Sequence, residues 1–401
     1  MQLPNRPYSL SSQLSVLCII DTLGRGGGAE QLVASLALPL RQRGVEVEFV
    51  DLFSWHDDLG IELQRQGFVV HRLELRSRWN LVQGIRQLRM VVGVRKDMIF
   101  WGHLYFGNLY ASLFGLFFPG LTSVITLHSS GLAQIVPHGI KGRLSNALER
   151  WVNCRSHFKI AVSGAVRAVY SSVRGWNTMR VIHNGVNVDA IPTGVSAEKR
   201  VFVRNRFAVG DKDFLIAVPA RFVPEKGHTV LLDAVKHLAC QHSLHPMFLL
   251  IGQHTPLVDT LQKKAKDIGI PNGQMHYLPT IPQDDLYDLL CCADAVVLPS
   301  VQEAFGIAAV EAMATERPVI LSRVGGMAEL DPNGECVIYV PPGDARELGN
   351  AIAALMEDPT GLNIRGRCGR RLASVQFSLD SCAIKWHQLF VEIHLRPKFR
   401  S

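Results

Sequence analysis

Short apolar runs separated by segments of helical periodicity recur along almost the whole chain, and this alternation restricts the fold more than any other feature. In the first half, runs at 15–21, 45–53, 68–75, 98–102, 123–127, 158–163 and 179–182 read as strands. A helix is expected at 29–43 and a basic helix at 81–95. The second half repeats the logic, with strands at 214–220, 247–251, 275–278, 295–298, 319–321 and 337–340 and helices between them. Repeated strand–helix alternation predicts parallel, doubly wound sheets. The turn-rich segment 184–194 marks a linker. The expected architecture is therefore α/β, with two Rossmann-like domains facing across a cleft. Residues 1–190 form the first domain, 191–380 the second, and 381–401 a final helix and tail packing back toward the first. Ligands of such sheets bind at the carboxyl ends of the strands, which makes the cleft the expected site.

Composition narrows the class. A chain of 401 residues has room for two cores, and 47% hydrophobic against 19% charged residues describes a compact protein. Eight cysteines are scattered without a C-x-x-C pair, which leads us to expect buried free thiols in a reducing cytoplasm and neither a disulfide framework nor a zinc site. Residues 1–7 carry no basic-then-apolar signal pattern. The apolar run 111–118 ends at Pro119; it is too short to span a bilayer and is expected to be a buried helix.

The net charge of +7 is uneven: residues 1–190 hold 20 Lys and Arg against 12 Asp and Glu, and the remainder 22 against 23. The excess gathers in two stretches, one from Arg65 to Lys96 and one from Lys141 to Arg174. Such clusters are either a solvated basic surface or an attraction for an anionic partner, namely a membrane leaflet or a phosphorylated lipid acceptor. No basic groove interleaved with aromatics points to nucleic acid.

The chemistry-bearing residues fall at strand ends. Glu303 and Glu311 stand eight residues apart where the run 295–298 gives way to a helix expected at 305–316. The open helix start at Gly306-Ile307 offers unpaired N–H groups to a phosphate, and the carboxylates flanking it are good acceptors for sugar and ribose hydroxyls. The plain alternative is a helix first turn with an acidic neighbour and a solvated Glu. Arg221 and Lys226, in Arg221-Phe-Val-Pro-Glu225-Lys226-Gly227-His228, follow the first strand of the second half. Two cations there neutralise a diphosphate, or else form a surface pair near Glu225. Gly27 and Gly28, in Gly24-Arg-Gly26-Gly27-Gly28-Ala-Glu30, let backbone approach a ligand or make a tight turn. His128 ends the run 123–127 and is either a hydroxyl ligand or a structural histidine. Gly325-Gly326-Met-Ala-Glu329 and His183-Asn184-Gly185 have turn composition. No Asp-x-Asp in a diphosphate-bridging setting, H-E-x-x-H, G-x-S-x-G or P-loop appears.

Taken in order, these segments resemble the retaining, GT-B-fold glycosyltransferases of family 4, the glycosyl transferases group 1. The resemblance spans nearly the whole chain. The family's E-x7-E matches Glu303 and Glu311, its R-x4-K-G Arg221, Lys226 and Gly227, its Gly-Gly-Ala-Glu Gly27 to Glu30, its strand-end His His128, and its Gly-Gly-x-x-Glu Gly325, Gly326 and Glu329. Two departures stand out. The usual Ile-Pro-Asn-Gly-Val-Asp is here Ile182-His183-Asn184-Gly185-Val186-Asn187, and Leu278-Pro279 replaces a frequent Gly near the nucleotide base.

The resemblance implies transfer of a sugar from a nucleotide-diphosphate donor to a hydroxyl of a glycan or lipid-linked acceptor. It implies retention of configuration, no metal or other cofactor, and a part in assembling a surface polysaccharide (exopolysaccharide, capsule or lipopolysaccharide). Arg221, Lys226 and the Gly306-Ile307 helix start would carry the phosphate charge. Glu303 would hold sugar hydroxyls, Glu311 the ribose, and His128 the sugar, with Gly27 and Gly28 allowing close approach. The expected location is cytoplasmic, peripheral at the inner face of the membrane. Two rivals remain: a nucleotide-sugar epimerase of the same fold, and a non-catalytic nucleotide-sugar-binding scaffold.

Overall fold

The computed structural model describes residues 14–396 apart from 55–57, 78, 79, 94, 96, 119, 130–146 and 149. The chain divides into two compact units. The N-terminal unit runs through Ala161 and takes in Tyr170–Ile182 and the residues from Cys382 on, whereas the C-terminal unit comprises Val162–Val169 and His183–Ser381.

In the N-terminal unit, β1 (Leu14–Ile20), β2 (Val45–Asp51), β3 (Val70–Arg72), β4 (Met98–His103), β5 (Thr122–Leu127), β6 (Phe158–Ala161) and β7 (Arg180–Val181) form one sheet in the order β3-β2-β1-β4-β5-β6-β7. Its neighbouring strands pair in parallel throughout the described residues. All six residues of β4 are buried, as a parallel strand covered on both faces must be. The helix Leu104–Phe117 lies so close to β1 that a Cβ on Gly107 would stand 2.3 Å from the Ile19 carbonyl oxygen. Trp101 packs on Trp386 and Phe390 of the last helix, Leu379–Leu395, at 4.7 and 5.4 Å between ring centroids.

In the C-terminal unit, β8 (Leu215–Pro219), β9 (Met247–Ile251), β10 (Met275–Leu278), β11 (Ala295–Leu298), β12 (Val319–Ser322) and β13 (Ile338–Val340) form a second parallel sheet, ordered β10-β9-β8-β11-β12-β13. Its core joins Ile216, Val218, Phe248, Leu250 and Val297 to helix residues such as Leu231, Leu232, Leu348 and Ile352. In each sheet the strand order reverses beside the first strand, between β1 and β4 and between β8 and β11. Those switch points open a crevice beyond the carboxyl ends of the strands.

The structure differs from the sequence expectations in several places. The run 68–75 is a strand only over Val70–Arg72. The helix expected at 305–316 spans Ile307–Ala314, because Gly306 has φ +101 and breaks the helical path. Glu311 therefore lies about one turn into the helix. The run 111–118 is buried through Phe114, but Leu116 and Phe117 are 38% and 60% exposed. Not all cysteines are buried free thiols: Cys336 and Cys368 form a disulfide, and Cys154 and Cys240 are exposed. Asp331 accepts hydrogen bonds from Cys336 N and Val337 N, which sets Cys336 against the helix Pro359–Gln376 carrying Cys368. No helix among the described residues is long and apolar enough to cross a membrane.

Candidate active site

The C-terminal unit gathers its charged residues where β8 and β11 end. After β8 the chain passes Arg221, makes the 3-10 turn Pro224–Lys226, and enters the helix His228–His237 through Gly227 at φ +70. A Cβ on Gly227 would lie 1.9 Å from the Pro299 carbonyl oxygen. Only glycine lets these two backbones touch and tolerates that φ. The contact sets the turn beside the segment leaving β11, and Val301 N donates to Glu225 O at 2.9 Å to hold it there.

The result is an ion pair: Lys226 Nζ stands 2.5 Å from Glu303 Oε2, with both side chains largely buried. Lys226 thus meets Glu303 and not Glu225, contrary to the plain alternative from sequence. Arg221 is exposed, and no hydrogen bond or ion pair of its guanidinium occurs among the described residues. Its carbonyl accepts from His228 Nε2 at 3.0 Å. Burial holds the His228 imidazole below its usual pKa, so it remains neutral.

The loop 303–306 rests on a second glycine turn. A Cβ on Gly325, which has φ +52, would fall 1.8 Å from Glu303 O, and one on Gly326 would fall 2.3 Å from Ala304 O. Glu329, further along that turn, receives Gly164 N at 2.8 Å, Ala165 N at 2.7 Å and His183 Nε2 at 3.1 Å. Burial alone would raise its pKa, but these donors outweigh it and hold the carboxyl below the usual range. Ser163 Oγ donates to Ala304 O at 2.6 Å. The Gly-Gly-x-x-Glu segment is therefore the support under the Glu303 loop.

Glu311 sits on the helix Ile307–Ala314. Its Oε1 accepts from Tyr287 Oη and from Gln283 Nε2, both at 3.1 Å. Burial raises its pKa. Tyr287 and Gln283 were not singled out in the sequence. Their only signal there is a polar i, i+4 pair on the helix that precedes β11.

The N-terminal unit places its residues at its own strand ends. His128 follows β5, and its Nε2 lies 2.9 Å from Nδ1 of His103, the last residue of β4. Burial pushes His128 down to about 4 and His103 well below its usual range, so the pair is uncharged near neutrality. Gly27 caps the helix Gly28–Gln42 in extended conformation. The space a Cβ would need there is filled by the Glu30 carboxylate, 2.2 Å away. Among the described residues no group of three or more His, Cys, Asp or Glu is arranged to hold a metal ion.

This strand-end arrangement can be set against known proteins. Residues 26–190 match the family described as Glycosyltransferase Family 4, and residues 200–372 that described as Glycosyl transferases group 1. The chain belongs to the family 4 glycosyltransferases. It is 33% identical over 198 residues to an MMP alpha-(1->4)-mannosyltransferase of Mycolicibacterium hassiacum, a match covering 48% of this chain and 45% of that one. The chain thus spans about half the length of that relative. Its fold follows HepE of Anabaena, solved with UDP and glucose, at a TM-score of 0.77 and 21% identity over 94% of this chain and 99% of the other. It also follows WaaG, a glycosyltransferase involved in lipopolysaccharide biosynthesis, at a TM-score of 0.70 and 17% identity over 94% and 99%. The fold class is accordingly GT-B, the one that the resemblance in sequence implies for a family 4 transferase.

Proposed function

We propose that this chain transfers a sugar from a nucleotide-diphosphate donor to a hydroxyl of a glycan or lipid-linked acceptor, with retention of configuration and without a metal. The observation that carries the reading is the Lys226–Glu303 pair at 2.5 Å. It joins the R-x4-K-G and E-x7-E segments at the switch point of one sheet, beside a helix start. Sugar transfer from such a donor requires stabilising a departing diphosphate while positive charge develops on the sugar. Arg221, the Lys226 ammonium and the N–H groups at Gly306-Ile307 are preorganised for the phosphate charge. Glu303 is placed to hold sugar hydroxyls and Glu311 the ribose. In the N-terminal unit, His128, Gly27 and Gly28 are assigned to ligand contact at its strand ends. Binding of UDP and glucose by HepE supports a nucleotide-sugar donor, and the role of WaaG supports a place in surface polysaccharide assembly.

Calorimetry with UDP, GDP and ADP, with and without EDTA, tests this reading. One nucleotide is expected to bind tightly, and the chelator to leave its affinity unchanged. Binding of none would remove the donor site, and binding abolished by EDTA would remove the metal-free mechanism. An epimerase would convert the donor with no acceptor present.

We further propose that the chain binds an anionic membrane surface. On the helix Leu81–Val92, Val82 and Met90 are 63% and 75% exposed and share a face with exposed Arg86 and Arg89. Apolar residues interleaved with arginines suit a charged interface. Flotation with anionic liposomes should show binding that weakens with salt. Absence of such binding would sink the membrane assignment and leave the transferase reading intact.

A further inference from the structure

Glu311 uses its two carboxylate oxygens unequally. Oε1 accepts from both Tyr287 Oη and Gln283 Nε2, whereas Oε2 accepts no hydrogen bond among the described residues. The two donors are themselves joined, since Gln283 Nε2 donates to Tyr287 Oη at 2.5 Å. The triangle is closed: the amide nitrogen spends its two hydrogens on Tyr287 and Glu311, and the phenol accepts one bond and donates the other. Each bond to the carboxylate is charge-assisted, and the chain of donors polarises each link further. Both donors stand on one helix, Gln283–Cys292, and Tyr287 is 6% exposed and fixed by packing. Gln283 is exposed. Nothing about the fold demands this, because a glutamate on Ile307–Ala314 turned to water would need no partner.

We propose that Tyr287, assisted by Gln283, is a positioning residue for Glu311, one that locks one carboxylate oxygen to the protein and presents the other to the hydroxyls of a ribose. This rests on the reading of Glu311 as the ribose ligand. The pair then sets selectivity for ribonucleotide over deoxynucleotide donors without touching the nucleotide. A free carboxylate would rotate and offer either oxygen to water; a held one keeps a single acceptor in place. Burial also raises the Glu311 pKa, and the two donors counter that shift by stabilising the ionised form.

The test is the affinity of the full chain for UDP, GDP and ADP against their 2′,3′-dideoxy counterparts. The wild type should prefer the ribose form by about tenfold or more, as for a hydrogen bond to a charged group. Tyr287→Phe removes the hydroxyl and keeps the ring. It should bring the ratio to within about threefold of unity while leaving the dideoxy affinity nearly unchanged, which also shows that the variant is folded. Gln283→Leu, at an exposed position, should give a smaller loss of the same ratio. A wild type that discriminates, with both variants keeping its full ratio, would overturn the role of Tyr287 and Gln283 alone. A wild type that binds no nucleotide, or binds both forms equally, would overturn the ribose reading of Glu311 and the inference with it.

Discussion

The two units share a plan and differ in what they place at its working end. Both sheets are parallel and reverse order beside their first strand. In the N-terminal unit two acids near that point, Asp21 and Asp51, accept from backbone N–H groups. Asp21 accepts from Gly107 N at 2.8 Å, and Asp51 accepts from Leu23 N and Ser54 N at 3.1 and 2.7 Å. Its two strand-end histidines are uncharged. In the C-terminal unit the corresponding ends carry exposed Arg221, the Lys226–Glu303 pair and the open oxygen of Glu311. One topology thus opens the same strand-end crevice twice, and the side chains at its rim decide its chemistry.

The sharpest way to break this contrast is Lys226→Ala. Losing one charge contact to the departing diphosphate should lower turnover at least about a hundredfold, and near-normal turnover would remove Lys226 from the chemistry. A smaller effect sharpens the other side. An unfolded histidine takes up a proton near pH 6.5, whereas His128 in the fold resists until about 4. Between those values the unfolded chain binds more protons, so stability falls as pH falls from 6.5 toward 4. No tryptophan lies between His183 and Ser381, so tryptophan emission during urea unfolding follows the N-terminal unit. Between pH 7 and pH 5 the wild type should lose on the order of 1 kcal/mol more than His128→Gln. Equal losses would mean that the pair is charged after all.

Much of the fold was legible because parallel strands buried on both faces are written as short apolar runs. The runs 247–251, 275–278 and 295–298 correspond residue for residue to β9, β10 and β11. Boundaries set by backbone conformation were harder: Gly306 at φ +101 delays the helix beyond Phe305. The candidate charged residues were visible as motifs, but their partners were not. Tyr287 meets Glu311 across 24 residues of chain, and Cys336 meets Cys368 across 32. Such meetings depend on how helices pack, which local periodicity does not encode. The uneven use of the Glu311 oxygens is likewise a property of three side chains together.

The glycine contacts around Pro299–Phe305 say where this site is free to change. Gly227 against Pro299, Gly325 against Glu303 and Gly326 against Ala304 are backbone laid on backbone. A library that randomised these three positions would return almost nothing but glycine. Val301, 40% exposed at the rim of the same loop, has no such constraint. The loop can therefore change what it displays at Val301 while its path stays the same. A lineage of related enzymes would diversify in side chains over an almost invariant trace.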